Sequence, residues 1–96
     1  MKPSAALDLR RDAIKKIIAR FPVSNPRVFG SVVFNADDEG SDLDLLVDAL
    51  PSTTLFDLGG LQFELENLLG LHVDLITPGD LPLKVREQVI QQAIPL

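Results

Sequence analysis

Asp42 and Asp44 stand two residues apart at the head of an apolar run, Asp42-Leu43-Asp44-Leu45-Leu46-Val47. In an extended strand, side chains at i and i+2 point to the same face. The two carboxylates therefore share one face at a strand end. Such a dianionic site offers only oxygen ligands and suits Mg²⁺ or Mn²⁺, which take carboxylates, waters and phosphate oxygens. Without a cation it is costly, because two close like charges repel and raise one another's pKa. Asp74 is a third candidate. It sits mid-strand in Leu71-His72-Val73-Asp74-Leu75-Ile76, where a lone buried charge would be expensive. If that strand lies beside the first, Asp74 completes a carboxylate triad able to hold two metals about 3.5–4 Å apart. Asp74 would then be the ligand nearest an attacking group and the general-base candidate. His72 shares its strand face and reads as a surface or supporting residue rather than a ligand.

Gly30-Ser31 precedes Asp42 by ten intervening residues. Here a strand, Arg27-Val28-Phe29, runs into a helical turn over Val32 to Asn35. Free backbone N–H groups at such a turn hold phosphate oxygens. Gly30 allows close approach of a phosphate to the backbone, and the Ser31 hydroxyl can donate to it. Alone, Gly30 would read as a turn glycine and Ser31 as a helix N-cap. The carboxylates downstream favour phosphate binding. Arg27, Lys84 and Arg86 read as solvated charges.

These residues need elements to position them. Leu9, Ala13, Ile14, Ile17, Ile18 and Phe21 recur at helical spacing and predict a helix over Ala5 to Phe21. Pro22 ends it, and Ser24-Asn25-Pro26 reads as a turn. Ala36 to Gly40 is an acidic loop containing Asp37-Asp38-Glu39, and Leu43 to Val47 a buried strand. Pro51-Ser52-Thr53-Thr54 leads into a second helix over Leu55 to Leu69, with a cap at its start. Gly59-Gly60 weaken that helix by about 1 kcal/mol each relative to Ala and predict a bend or a late start. Gly70 fits its C-cap. Leu71 to Ile76 is the third strand, Thr77 to Asp80 a turn, and Leu83 to Ala93 a last helix with Leu83, Val85, Val89, Ile90 and Ala93 available for burial. The expected fold is α/β (α+β): a small mixed β-sheet packed by helices, one domain over residues 1–96.

Composition narrows the function. A net charge of −5 argues against binding a nucleic-acid backbone, so no DNA partner is expected. The absence of cysteine excludes disulfides, zinc-thiolate sites and Cys nucleophiles. No apolar run approaches the roughly 18 residues of a membrane span, and no signal-peptide core is present. A cytoplasmic protein is the expectation. With 46% hydrophobic residues on 96 positions, some apolar surface is left for a homo-oligomer or a hetero-complex; Ile94-Pro95-Leu96 is one candidate.

Phe29-Gly30-Ser31, ten residues, then Asp42-Leu43-Asp44-Leu45-Leu46-Val47 resembles the signature of the polymerase-β-like nucleotidyltransferase superfamily. The small size and the ending Ala93-Ile94-Pro95-Leu96 resemble its minimal, MNT-type members. The resemblance implies the polymerase-β-like nucleotidyltransferase fold, with metal on Asp42, Asp44 and Asp74 and triphosphate on Gly30 and Ser31. It implies Mg²⁺- or Mn²⁺-dependent transfer of a nucleoside monophosphate, AMP from ATP, to an acceptor hydroxyl. It also implies an antitoxin role, with a HEPN-type toxin as partner and acceptor. Family members commonly carry Arg and Gly where this chain has Phe34 and Asn35. That difference and the acidic loop favour weaker catalysis. An alternative is a binding module that neutralises its partner by complex formation.

Overall fold

The computed structural model describes residues 1–96. Helix α1 (Pro3–Ile18) leads into strand β1 (Val23–Phe29), and a 3-10 turn, Gly30–Val32, follows it. Strand β2 (Leu43–Ala49), helix α2 (Leu55–Leu69) and strand β3 (Val73–Ile76) come next. A second 3-10 turn, Pro78–Asp80, precedes helix α3 (Leu83–Gln92) and a two-residue strand β4 (Ile94–Pro95). The four strands form one mixed sheet in the order β3-β2-β1-β4. β1 runs antiparallel to β2 and β4, and β2 runs parallel to β3. The expected small mixed sheet packed by helices is the architecture found.

β2 is the centre of the molecule. Leu43, Leu45, Leu46 and Val47 are fully buried. Leu43 and Leu45 join Val28 and Val73 in a cluster with Ile14 and Ile18 of α1 and Leu61 and Leu65 of α2. Strand alternation sends Asp44 to the opposite face. One face of the sheet thus carries the helical core, while the other carries the carboxylates at one end and buries Leu46 beyond them.

α2 begins at Leu55 without a bend, despite its glycines. The Thr54 hydroxyl accepts from the Asp57 N–H at 3.1 Å, and the Asp57 carboxylate accepts from the Thr54 N–H at 2.9 Å. This capping box contributes about 1 kcal/mol. Gly60 lies against the ring of Phe21, where an added Cβ would stand 3.4 Å from it. Gly70 ends the helix at φ 68° as expected.

Other expectations are corrected. α1 starts at Pro3 and ends at Ile18, and Arg10 breaks its helical geometry. The kink turns Ala6 and Leu7 into the core and leaves Leu9 67% exposed. β1 reaches back to Val23 through the segment read as a turn; its register shifts between Ser24 and Arg27, with Asn25 at φ 51°. That irregularity accommodates Pro26, which cannot donate to a ladder. Arg27 is buried rather than solvated. It pairs with Asp48 at 2.6 Å and donates from Nε to the Asn25 carbonyl at 2.9 Å. Arg86 ties α3 to the preceding turn by donating to the Leu81 carbonyl at 2.9 Å. α3 buries none of its residues, and Leu83 is 80% exposed. Ile94-Pro95 is strand rather than loose tail, paired with Val28 and Arg27. No helix is long and apolar enough to cross a membrane.

Candidate active site

Register brings the carboxylates together. Phe29, the last residue of β1, lies opposite Asp44, and Asp44 lies opposite Asp74 in the parallel pair. Asp42 precedes β2 by one residue, so its side chain follows the same alternation as Asp44. Ligand atoms of Asp42, His72 and Asp74 all lie within 4.8 Å of one another. Gly30, at the end of β1, packs directly on Asp44. An added Cβ at Gly30 would overlap Asp44 Oδ2 and stand 3.0 Å from its Cγ. Gly30 also adopts φ 76°, a conformation costly for any residue with a side chain. Ser31 follows in the first position after Gly30 in the same turn.

The electrostatics match the crowding. The Asp44 carboxyl is pushed up to about 6, first by burial, then by the adjoining Asp74 and by the charge of Asp42. A site that holds back ionisation of its own ligand near neutrality is short of positive charge. Two carboxylates and an imidazole with converging atoms, and a third carboxylate beside them, offer the mostly oxygen donors that a divalent cation takes. The ligand atoms that converge are those of Asp42, His72 and Asp74, with Asp44 seated beside Asp74, and this set has the chemistry of a divalent-cation site.

His72 does more than the sequence indicated. Its Nε2 lies 3.0 Å from Asp74 Oδ1, and its Nδ1 lies 2.8 Å from Glu66 Oε2. The hydrogen bond to Asp74 and the surrounding carboxylates hold the imidazole above its ordinary value. Glu66, on the last turn of α2, also accepts from the Val73 N–H at 3.0 Å, and this bond holds its carboxyl below the usual range. Sequence reasoning passed over Glu66. Its only signal is a carboxylate four residues before the Gly70 cap, within one turn of the helix end that feeds β3.

The acidic loop is fastened to the start of α1. Asp37 is buried and accepts from the Ser4 N–H at 2.8 Å, which holds its carboxyl below the ordinary value. It thereby caps the first turn of α1 from a distance. Glu39 pairs with the Met1 ammonium at 2.6 Å, and Asp38 accepts from the Gly40 N–H at 2.9 Å. These contacts fasten the loop and leave its negative charges in place. Asn35 takes φ 54°, the left-handed backbone expected of it, and Phe34 is 59% exposed. None of the three surface clefts, of about 260, 360 and 530 Å³, includes a carboxylate of the cluster. The cluster is an open surface.

The nucleotidyltransferase domain family matches residues 11–96, a span that contains Gly30, Ser31 and all three carboxylates. The chain belongs to that family. As a nucleotidyltransferase it shares the polymerase-β-like fold of its structural neighbours. A solved candidate minimal nucleotidyltransferase superposes with a TM-score of 0.86 at 43% identity, covering 97% of this chain and 95% of the other. The protein adenylyltransferase MntA of Thermococcus cleftensis is 36% identical over 80 residues, which is 83% of this chain and 81% of MntA. A chain of a toxin–antitoxin crystal structure with AMP-PNP has a TM-score of 0.73 at 22% identity, covering 88% of this chain and 69% of that one. At that identity the likeness concerns the fold.

Proposed function

We propose that this nucleotidyltransferase transfers AMP from ATP to a hydroxyl on a partner protein, with residues 1–96 acting as one minimal domain in the cytoplasm. The observation that carries the reading is the Asp44 carboxylate seated on Gly30 and in register with Asp74. That juxtaposition sets the phosphate turn against the acidic cluster. Asp42, Asp44 and Asp74 hold Mg²⁺ or Mn²⁺, which when bound supplies the positive charge that the crowded carboxylates and the triphosphate both require. Gly30 and Ser31 hold triphosphate oxygens through backbone N–H groups and the Ser31 hydroxyl. The acceptor oxygen forms a bond to the α-phosphorus as the bond to pyrophosphate breaks, and its proton passes to Asp74. Glu66 and His72 support Asp74 from behind.

The open surface bears on the acceptor. No wall of the chain encloses the cluster, so the acceptor comes on a partner that closes it. Similarity to MntA and to a toxin–antitoxin structure with AMP-PNP supports a toxin of the helical HEPN type as that partner, and ATP as donor. The test is incorporation of label from α-labelled ATP into the purified partner with Mg²⁺ or Mn²⁺ present. Incorporation lost in Asp44→Ala supports the reading. A folded pair that never incorporates label sinks it.

A second reading is a binding module that neutralises the partner by covering it. The exposed Phe34, in place of a cation beside the phosphate turn, favours it. Under this reading Asp42→Ala leaves neutralisation in cells intact, whereas the enzymatic reading requires its loss.

A further inference from the structure

α2 shows solvent a stripe that its own fold leaves uncovered. Phe56 is 91% exposed and Phe63 is 64% exposed, with Leu55 beside them at 86%. Phe56 and Phe63 are seven residues apart, so they rise from one side of the helix about 10.5 Å from each other. Gly59 and Gly60 lie between them. A Cβ at Gly59 would meet nothing within 4 Å. The outline is two aromatic knobs on either side of Gly59, with the ring of Phe21 flanking the neighbouring Gly60. An apolar surface of this kind costs free energy while it faces water.

The stripe complements itself when reversed. An antiparallel copy of α2 centred on the glycines sets Phe56 against the partner's Phe63 and Gly59 against the partner's Gly60. This is the reciprocal pattern of a two-fold interface. The glycines let the two backbones approach closely, and the Phe pairs close both ends. The same register sets Asp57 against the partner's Gln62 and Glu64 against the partner's Leu55, so no two carboxylates confront each other.

Charge also separates a second copy from an oppositely charged partner. α2 carries no Lys or Arg. The carboxylates beside the stripe are engaged within the chain: Asp57 in its capping box, Glu64 with Arg20, and Glu66 with His72 and the Val73 N–H. Their in-chain partners hold them beside the stripe and leave its apolar face free of charge.

We infer that α2 is a self-association surface joining two copies of this chain in antiparallel register through Phe56, Gly59 and Phe63. α2 packs on the sheet face opposite Asp44, so both acidic clusters stay open in the pair. The inference stands apart from the catalytic reading. Three large side chains give an interface on the order of 1,000 Å² in total, at the small end of specific contacts. The dissociation constant is expected on the order of 10 µM.

Sedimentation equilibrium of the purified chain across a concentration series tests this. A dimer is expected, and Phe63→Glu is expected to weaken it at least ~100-fold, by placing a charge at both ends of the contact, while the thermal melt of the monomer stays unchanged. The chain has no cysteine, so single introduced thiols report the register. Gly59→Cys lies at the two-fold axis and cross-links to itself on oxidation. Asn67→Cys, about 22 Å from its counterpart in this register, does not. A chain that stays monomeric at all concentrations overturns the inference, as does a dimer that survives Phe63→Glu. Equal cross-linking of the two thiols overturns the register and with it the proposal. So does a free chain that is monomeric while a helical toxin-type partner protects Phe56 and Phe63.

Discussion

Asp44 carries a carboxyl raised to about 6 in the folded chain, against about 3.9 when unfolded. Between those values the folded chain binds more protons than the unfolded one, so stability falls as pH rises through the window. The cost is complete above about pH 6 and absent below about pH 4. A shift of this size bounds it near 3 kcal/mol, and the half-exposed setting brings it to about 1–2 kcal/mol. Asp44→Asn is therefore expected to melt higher than the wild type at pH 7.5 in chelator and to match it near pH 4. Thermal unfolding at the two pH values checks this. Gly30→Ala works the other way. Its φ of 76° costs about 1–2 kcal/mol for a residue with a Cβ, and the new methyl displaces the Asp44 carboxylate. Mn²⁺ affinity, read by the loss of free-ion EPR signal, is expected to fall at least ~10-fold.

At the scale of elements, α2 shows how local chemistry overrides a weak propensity. Two adjacent glycines predicted a bend, yet the helix runs whole because the Thr54–Asp57 box fixes its first turn and Phe21 fills the space over Gly60. Thr54→Ala is expected to cost about 1 kcal/mol, which lowers the melting temperature by roughly 4–8 °C in a domain of this size. Gly59→Ala meets open space and is expected to stabilise the fold by about 0.5–1 kcal/mol. Differential scanning calorimetry of both variants reads these changes. The acidic loop carries the same lesson. Of Asp37-Asp38-Glu39, the fold buries Asp37 and uses it to cap the first turn of α1, a structural role that its residue type did not show.

For the whole molecule, the sheet divides the labour between its faces. Helices cover one face and build the core; the other carries the carboxylates, where the proposed nucleotide and acceptor would meet. The site's charge deficit makes ligand-linked stability a direct reading of occupancy. Mn²⁺ at about 100 times its dissociation constant is expected to stabilise the chain by about 2.7 kcal/mol. Asp44→Ala removes most of that gain, and melts with and without the ion check it. α3 buries none of its residues and leaves Leu83 80% exposed, apolar surface that the isolated chain does not cover.

The paired carboxylates and the Gly30-Ser31 turn were legible because their pattern is local in sequence. Asp42 and Asp44 share a face by strand periodicity alone, and Gly30-Ser31 sits at the end of a short apolar strand. The element order was legible for the same reason: helical and strand periods are set by near neighbours, with Pro22, Thr54 and Gly70 as punctuation. What the chain order could not show was pairing. β4 is two residues long and carries no periodic signal, so only its hydrogen bonding to β1 reveals it. The kink at Arg10 reversed the expected fate of Leu9. The burial of Arg27 depends on Asp48, twenty-one residues away. The same holds at the site. Sequence nominated Asp74 on the condition that its strand lie beside β2, and only the parallel register of β2 and β3 met it. Only the tertiary structure seated Asp44 on Gly30 and tied Glu66 through His72 to Asp74. Those contacts join residues from separate elements, and separation in sequence says nothing about which of them will meet.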